Sequence, residues 1–236
     1  MKNSIKYAKS FIFLFIIILT QSCLNSDDNY EYVQFGTVQM LDNADQGSLF
    51  FLLDSNQALY PKNPGAVASL DLQDKDRVFV QFTDLEENHE KYDLYANIQI
   101  VQKLRTETIK FVENEEQTED LLESSDAINI VEAYVVNNFL NLKYTYKGGR
   151  VDSKEHDISI YATKEISEET RSSTTLELIL THDAKDDKGN RNVNGVISFP
   201  LDNIQNLINN KNEIKISAKA IIGGVQDYTI QVKQNK

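Results

Sequence analysis

Leu140, Leu142, Tyr144 and Tyr146 alternate with Asn141, Lys143, Thr145 and Lys147. A period of two puts the apolar side chains on one face of an extended strand and the polar ones on the other. Leu176, Leu178 and Leu180 alternate in the same way with Thr175, Glu177 and Thr181, as do Tyr228, Ile230 and Val232 with Thr229, Gln231 and Lys233. Strands with one wet face build antiparallel sheets, whereas the strands of a parallel α/β core are apolar on both faces. The chain is therefore read as all-β. Upstream, YVQFGTVQML, GSLFFLL, DRVFVQFT and LYANIQIVQKL are comparable strands, with Pro61, Pro64 and Gly65 marking a loop between the second and third. Helix is scarce; PLDNIQNLINN is the clearest case, with Leu201, Ile204, Leu207 and Ile208 on one face and Asp202 as a possible cap.

The alternation stops at ENEEQTEDLLESSD, Glu113 to Asp126, which holds seven acids. Residues 113–126 are read as an acidic linker between two strand-rich domains, 30–112 and 127–236, each of comfortable domain size. The competing reading is a solvated loop or short helix inside one domain.

The front of the chain has a different character. Lys2, Lys6 and Lys9 precede an apolar run from Phe11 to Leu19, and Ser22 sits directly before Cys23. That run is too short for a membrane span, which takes about 20 residues, but it suits an export signal with a small residue at the cut. Residues 1–22 are read as a lipoprotein signal peptide and Cys23 as the lipid-bearing new N-terminus, against a coincidental cysteine. The segment resembles the relaxed lipobox of Bacteroidetes: Ser22 matches, Thr20 stands where an aliphatic residue is usual, and Leu19 lies one place early. Residues 23–29 form an acidic tether, in which Ser26, Asp27 and Asp28 resemble the signal that sends such lipoproteins to the outer face of the outer membrane. Without that signal the anchor would face the periplasm.

Losing Lys2, Lys6 and Lys9 with the signal takes the formal charge from −12 to −15. Such a field opposes nucleic acid and anionic lipid surfaces as partners. With its single cysteine lipidated, the chain has no disulfide, and stability must come from burial.

A lipobox, a compact strand block, an acidic stretch and a second strand block holding GVISFPLDNI near its end together are similar to the NigD-like lipoproteins of Bacteroidetes. The resemblance implies an N-terminal OB-like barrel followed by a C-terminal antiparallel β-sandwich. It also implies the immunity-like role proposed for the family's namesake in a bacteriocin operon. It brings no catalytic residues.

Residue chemistry points to binding. THDAKDDKGNRN, Thr181 to Asn192, gathers His182, Asp183, Asp186, Asp187 and Asn190 around Gly189, but Lys185 and Lys188 interrupt the alternate acids of a calcium loop. It is read as a charged hairpin between the strands that surround it. His89, His156 and His182 form no HExxH pattern; the first two are read as surface-turn residues and the third as packing. There is no GxSxG elbow, and a glycosidase would need two carboxylates in a protected setting, whereas the densest acids lie in the presumed linker. No metal, cofactor or enzymatic activity is expected. OB-like barrels and sandwiches do bind oligosaccharides. With no Trp but 11 Tyr, stacking would fall to residues such as Tyr60, Tyr92 and Tyr95, unless these only fill strand positions. The expectation is a lipid-anchored outer-membrane protein that binds an envelope protein or peptide, with glycan binding as the alternative.

Overall fold

The structure, a computed structural model, describes residues 31–41, 49–87, 91–149, 155–164 and 173–232. The signal peptide, Cys23, the tether with Ser26, Asp27 and Asp28, and His89 lie outside the described residues.

Five strands form the first unit: β1 (Glu31–Met40), β2 (Leu49–Leu53), β3 (Ala58–Pro61), β4 (Arg77–Asp84) and β5 (Leu94–Lys103). They close in the order β1-β2-β3-β5-β4. Alternation explains the barrel: Phe51, Leu53 and Leu59 point inward with Val78, Val80, Phe82, Ala96 and Ile98, while Phe50, Leu52 and Tyr60 sit on the outer wall. A bulge in the β4–β5 ladder at Gln81/Phe82 adds the local twist that closure requires. Strand β3 occupies the segment expected as loop. It is only four residues long, too short to show a period, and Pro61 is tolerated because the β2–β3 ladder ends at Leu59, so no partner needs its missing N–H. The short helix α1 (Gly65–Ala68) follows, burying Val67 against the barrel core.

The second unit contains β6 (Arg105–Thr106), β7 (Lys110–Val112), α2 (Glu115–Ser124), β8 (Ile128–Val136), β9 (Phe139–Gly148), β10 (Asp157–Thr163), β11 (Thr175–Asp183), β12 (Arg191–Pro200), a 3-10 turn (Asp202–Ile204), α3 (Gln205–Ile208), β13 (Glu213–Lys219) and β14 (Val225–Gln231). Two sheets, β14-β13-β11-β10-β7 and β6-β12-β9-β8, pack around Leu140, Leu142, Ile160, Leu178, Leu180, Ile197, Phe199 and Ile216, all essentially sealed from solvent. Most neighbours are antiparallel, but β7–β10, β11–β13 and β6–β12 run parallel. Leu201, Ile204, Leu207 and Ile208 are buried as the expected helical face, although Asp202 caps nothing and the segment is a 3-10 turn followed by a single helical turn.

The segment expected as an acidic linker is the helix α2. Asn114 caps it, its side chain accepting from the Gln117 backbone N–H at 3.1 Å, and Leu121 and Leu122 are half-buried while Glu116, Glu119, Asp120 and Glu123 stay outside. The helix packs on β7, β10, β11 and β13. Because β6 and β7 already belong to the sandwich sheets, the chain passes from barrel to sandwich at Leu104.

Barrel and sandwich meet through a buried polar seam. Arg77 of β4, 1% exposed, donates to both Asp54 carboxylate oxygens at 2.7 and 2.8 Å and to Asn141 Oδ1 of β9 at 3.0 Å. From the sandwich side, the Tyr134 hydroxyl donates to Asp54 at 3.1 Å and the Asn137 amide to the Leu53 carbonyl at 3.3 Å.

Candidate functional site

A groove of ≈ 1210 Å³ opens where β8 and β14, the outer strands of the two sheets, face one another at the barrel end of the sandwich. Its walls come from Tyr134–Val136, the Asn137-Asn138 turn, residues 208–211 after α3, β14 from Tyr228 onward, and Asp54 and Asn56 of the barrel. Among the described residues neither β8 nor β14 has a strand neighbour on its outer side, so backbone N–H and C=O groups along both lips lack ladder partners. Asn56, Asn137, Asn138 and Asn210 all adopt positive φ, at 65, 48, 63 and 68°. Asparagine tolerates this conformation because its short side chain bonds locally, and the Asn137-Asn138 pair thereby makes the tight β8–β9 hairpin. Charge is muted: Asp54 is neutralised by Arg77, and Lys211, 7% exposed, gives its ammonium to the Ser173 carbonyl. Burial first, and the Asp54 charge second, push the Tyr134 hydroxyl well above its ordinary range, so it remains a donor. Apart from the Asp54–Arg77 pair and the enclosed Lys211 ammonium, the groove is lined by neutral side chains, rich in amides and edged by open strands.

The three tyrosines singled out in the sequence do come together. Parallel pairing of β3 and β5 sets Tyr60 opposite Tyr95, with ring centroids 5.6 Å apart. Tyr92 stacks on Tyr60 at 4.9 Å and meets Tyr95 edge-on at 5.7 Å. Phe50 joins at 5.4 Å from Tyr92, and Lys62 Nζ lies 5.3 Å from the Tyr95 centroid. The cluster covers the outer wall of the barrel; Tyr95 is 8% exposed and Tyr60 and Tyr92 are half-buried. Much of the ring surface is spent on neighbouring rings.

The THDAKDDKGNRN loop is not a hairpin. β11 and β12 lie in different sheets, so the loop arches across the end of the sandwich. His156 is likewise no surface residue: it is 4% and His182 3% exposed. His156 Nδ1 lies 2.8 Å from His182 Nε2, His156 Nε2 lies 3.2 Å from Asp187 Oδ2, and His182 Nδ1 lies 3.1 Å from the Ala127 carbonyl. Tyr146 stacks over both imidazoles, at 4.4 and 4.7 Å. No spacing in the sequence announces this cluster, since His156 and His182 are brought together by the β10–β11 ladder that pairs Ile158 with His182. Among the described residues no three such side chains converge as a metal shell.

The likeness to known proteins follows the two units. Residues 35–104 match the model of the NigD-like N-terminal OB domain, and residues 108–232 that of the NigD-like C-terminal beta sandwich domain. No curated protein matches the chain. Among solved structures, a protein of unknown function from Bacteroides vulgatus is similar over 87% of this chain and 92% of its own, at 15% identity and a TM-score of 0.67. A NigD-like immunity protein from Bacteroides caccae is similar over 84% and 91%, at 22% identity and a TM-score of 0.59. A protein from Bacteroides fragilis, provisionally named a lipoprotein, is similar over 88% and 100%, at 12% identity and a TM-score of 0.65. At these identities the structural likeness is one of fold. The two domain matches, in order and together spanning most of the chain, carry the assignment: the chain belongs to the NigD-like family, with an N-terminal OB domain and a C-terminal β-sandwich domain.

Proposed function

We propose that this protein is a lipid-anchored binding protein of the bacterial outer membrane, held by acyl chains on Cys23 and carried to the cell surface by Ser26, Asp27 and Asp28. Its role is binding and not catalysis, and its partner is an envelope protein or peptide received in the groove between β8 and β14. The observation that carries this reading is the pair of open strand edges lining one groove. An extended segment laid there gains main-chain hydrogen bonds from a lip, while side-chain pockets supply selectivity. The muted charge of the walls suits a polypeptide backbone. Similarity of fold to a NigD-like immunity protein agrees with capture of a partner protein in an immunity-like role. Similarity to a provisionally named lipoprotein agrees with the anchor. Tethering raises the effective concentration of such a binder toward other envelope components.

Two experiments test the reading. Cys23→Ser should abolish incorporation of labelled fatty acid and release the protein from membranes; equal membrane retention in both forms removes the anchor. A photo-crosslinking residue at Thr229, exposed on the groove wall, should capture a defined envelope polypeptide that the same residue at Glu116 on α2 does not, and Thr229→Trp should block it. Identical capture from both positions would place binding elsewhere. A second reading, glycan binding, is supported by the convergence of Tyr60, Tyr92 and Tyr95; a reproducible glycan-array signal lost on Tyr60→Ala would favour it over the first.

A further inference from the structure

The histidine pair at the far end of the sandwich has a determinate proton count. The Ala127 carbonyl only accepts, so His182 Nδ1 at 3.1 Å must carry a hydrogen. With that proton placed, a neutral His182 presents Nε2 as an acceptor, and His156 Nδ1 must donate to it across 2.8 Å. At the other end Asp187 is held as an acceptor: Oδ1 takes the Gly189 N–H at 2.7 Å and Oδ2 the Gly149 N–H at 2.8 Å. The two N–H donors favour the ionised carboxylate, and His156 Nε2, 3.2 Å from Oδ2, then also needs a hydrogen. Three N–H groups on two rings is one more than two neutral imidazoles possess. Counting from Asp187 inward gives the same total, because whichever ring is left neutral, the other must donate at both nitrogens.

We infer that the His156–His182–Asp187 chain holds a single excess proton, forming a buried imidazolium–carboxylate pair, and that this proton is a pH-set latch on the end of the sandwich. The chain ties three segments together. Asp187 grips the end of β9 at Gly149 and its own loop at Gly189. His182 reaches the start of β8 at Ala127, and the neighbouring Ser125 and Asp126, just after α2, bond the His182 and Ala184 backbone N–H groups.

The charged and titratable surroundings are consistent with one proton, not two. Tyr146 of β9 covers the pair and stacks on Tyr144, and burial raises both hydroxyls, Tyr144 to about 12, so neither supplies a competing charge. Arg105 of β6 donates to the His156 carbonyl at 2.8 Å and pairs outward with Glu107 and Glu155. Asp126, Asp183 and Asp157 lie on adjoining segments, the last two paired with Lys185. His156 is the ring within reach of the Asp187 carboxylate and so is the charged member; burial, the largest influence on His182, lowers its proton affinity, while its bond to the Ala127 carbonyl acts the other way.

The sign of the pH dependence follows. Below about pH 6.5, the ordinary histidine value, the unfolded chain takes up more than one proton at these two residues while the folded pair holds one, so stability falls with acid. Above it, the unfolded chain holds less than one, so stability falls again as pH rises until the latch proton leaves. The contribution peaks near the ordinary histidine value and declines on both sides.

Two-bond 1H–15N spectra of the imidazole nitrogens in the folded chain at pH 7.5 test the count. The expected pattern is one ring protonated at both nitrogens, His156, and the other a neutral Nδ1–H tautomer, His182. In Asp187→Asn the amide N–H can donate to His156 Nε2, so a neutral ring suffices; the excess proton should disappear and the urea midpoint should lose its decline above neutrality. Two neutral rings in the wild type, or an unchanged protonation pattern in Asp187→Asn, would overturn the proposal. The wild-type spectrum alone decides the count if the variant does not fold.

Discussion

Arg77 shows how much can depend on one side chain that looks ordinary in the sequence. It opens DRVFVQFT as a polar residue before an apolar strand, yet it is the largest fully buried side chain among the described residues. Its partners Asp54 and Asn141 lie 23 and 64 residues away, so no local pattern could reveal them. Removing one member of a buried ion pair strands the other and costs roughly 3–5 kcal/mol. Asp54 keeps 17% side-chain exposure, so Arg77→Met is expected at the lower end of that range. Urea unfolding at neutral pH measures it. Arg77→Lys should recover little, because an ammonium cannot reproduce the planar two-point grip on the carboxylate.

At the scale of elements, many strands were legible, but β8, β10 and β13 went unread, β3 was expected as loop, and neighbours were not legible at all. A period of two reports which face a residue takes, and it located β1, β2, β4, β5, β9, β11 and β14. It does not report which strand lies alongside, which is why the β11–β12 connection looked like a hairpin. The two- and three-residue strands β6 and β7 are too short to show any period, and α2 was obscured by acids that line its wet face while Leu121 and Leu122 turn inward. The site shared these limits. Tyr60, Tyr92 and Tyr95 were identifiable as residues, but their convergence rests on the β3–β5 pairing, and the groove on edges that exist only once both sheets are assembled. The arch from β11 to β12 depends on a close backbone approach, since a Cβ at Gly189 would overlap the Gly148 backbone. Gly189→Ala is therefore expected to cost about 1–3 kcal/mol through forced displacement and to disturb the Asp187 grip. Thermal unfolding gives the first effect, and the histidine nitrogen spectra report the second.

For the whole molecule, the seam of Arg77, Asp54, Asn141 and Tyr134 is expected to couple the stability of barrel and sandwich. Loss of structure in the two parts should coincide in urea, one transition serving both sets of probes. Asn141→Leu with Tyr134→Phe should separate them or leave a broadened transition; two independent transitions in the unaltered protein would contradict the seam's role. Under the proposed anchoring at Cys23, the position of β1 has a mechanical consequence. Tension from an anchor enters the fold at Glu31, the first residue of a strand paired on one side with β4 from Glu31 to Thr37 and on the other with β2 from Gly36 to Met40. A pull along that strand loads two ladders in shear, many hydrogen bonds at once, instead of peeling an edge strand one bond at a time. Under that anchoring, a load between the membrane and a partner in the groove would enter through two ladders at once and leave through the open edges of β8 and β14 in the other unit.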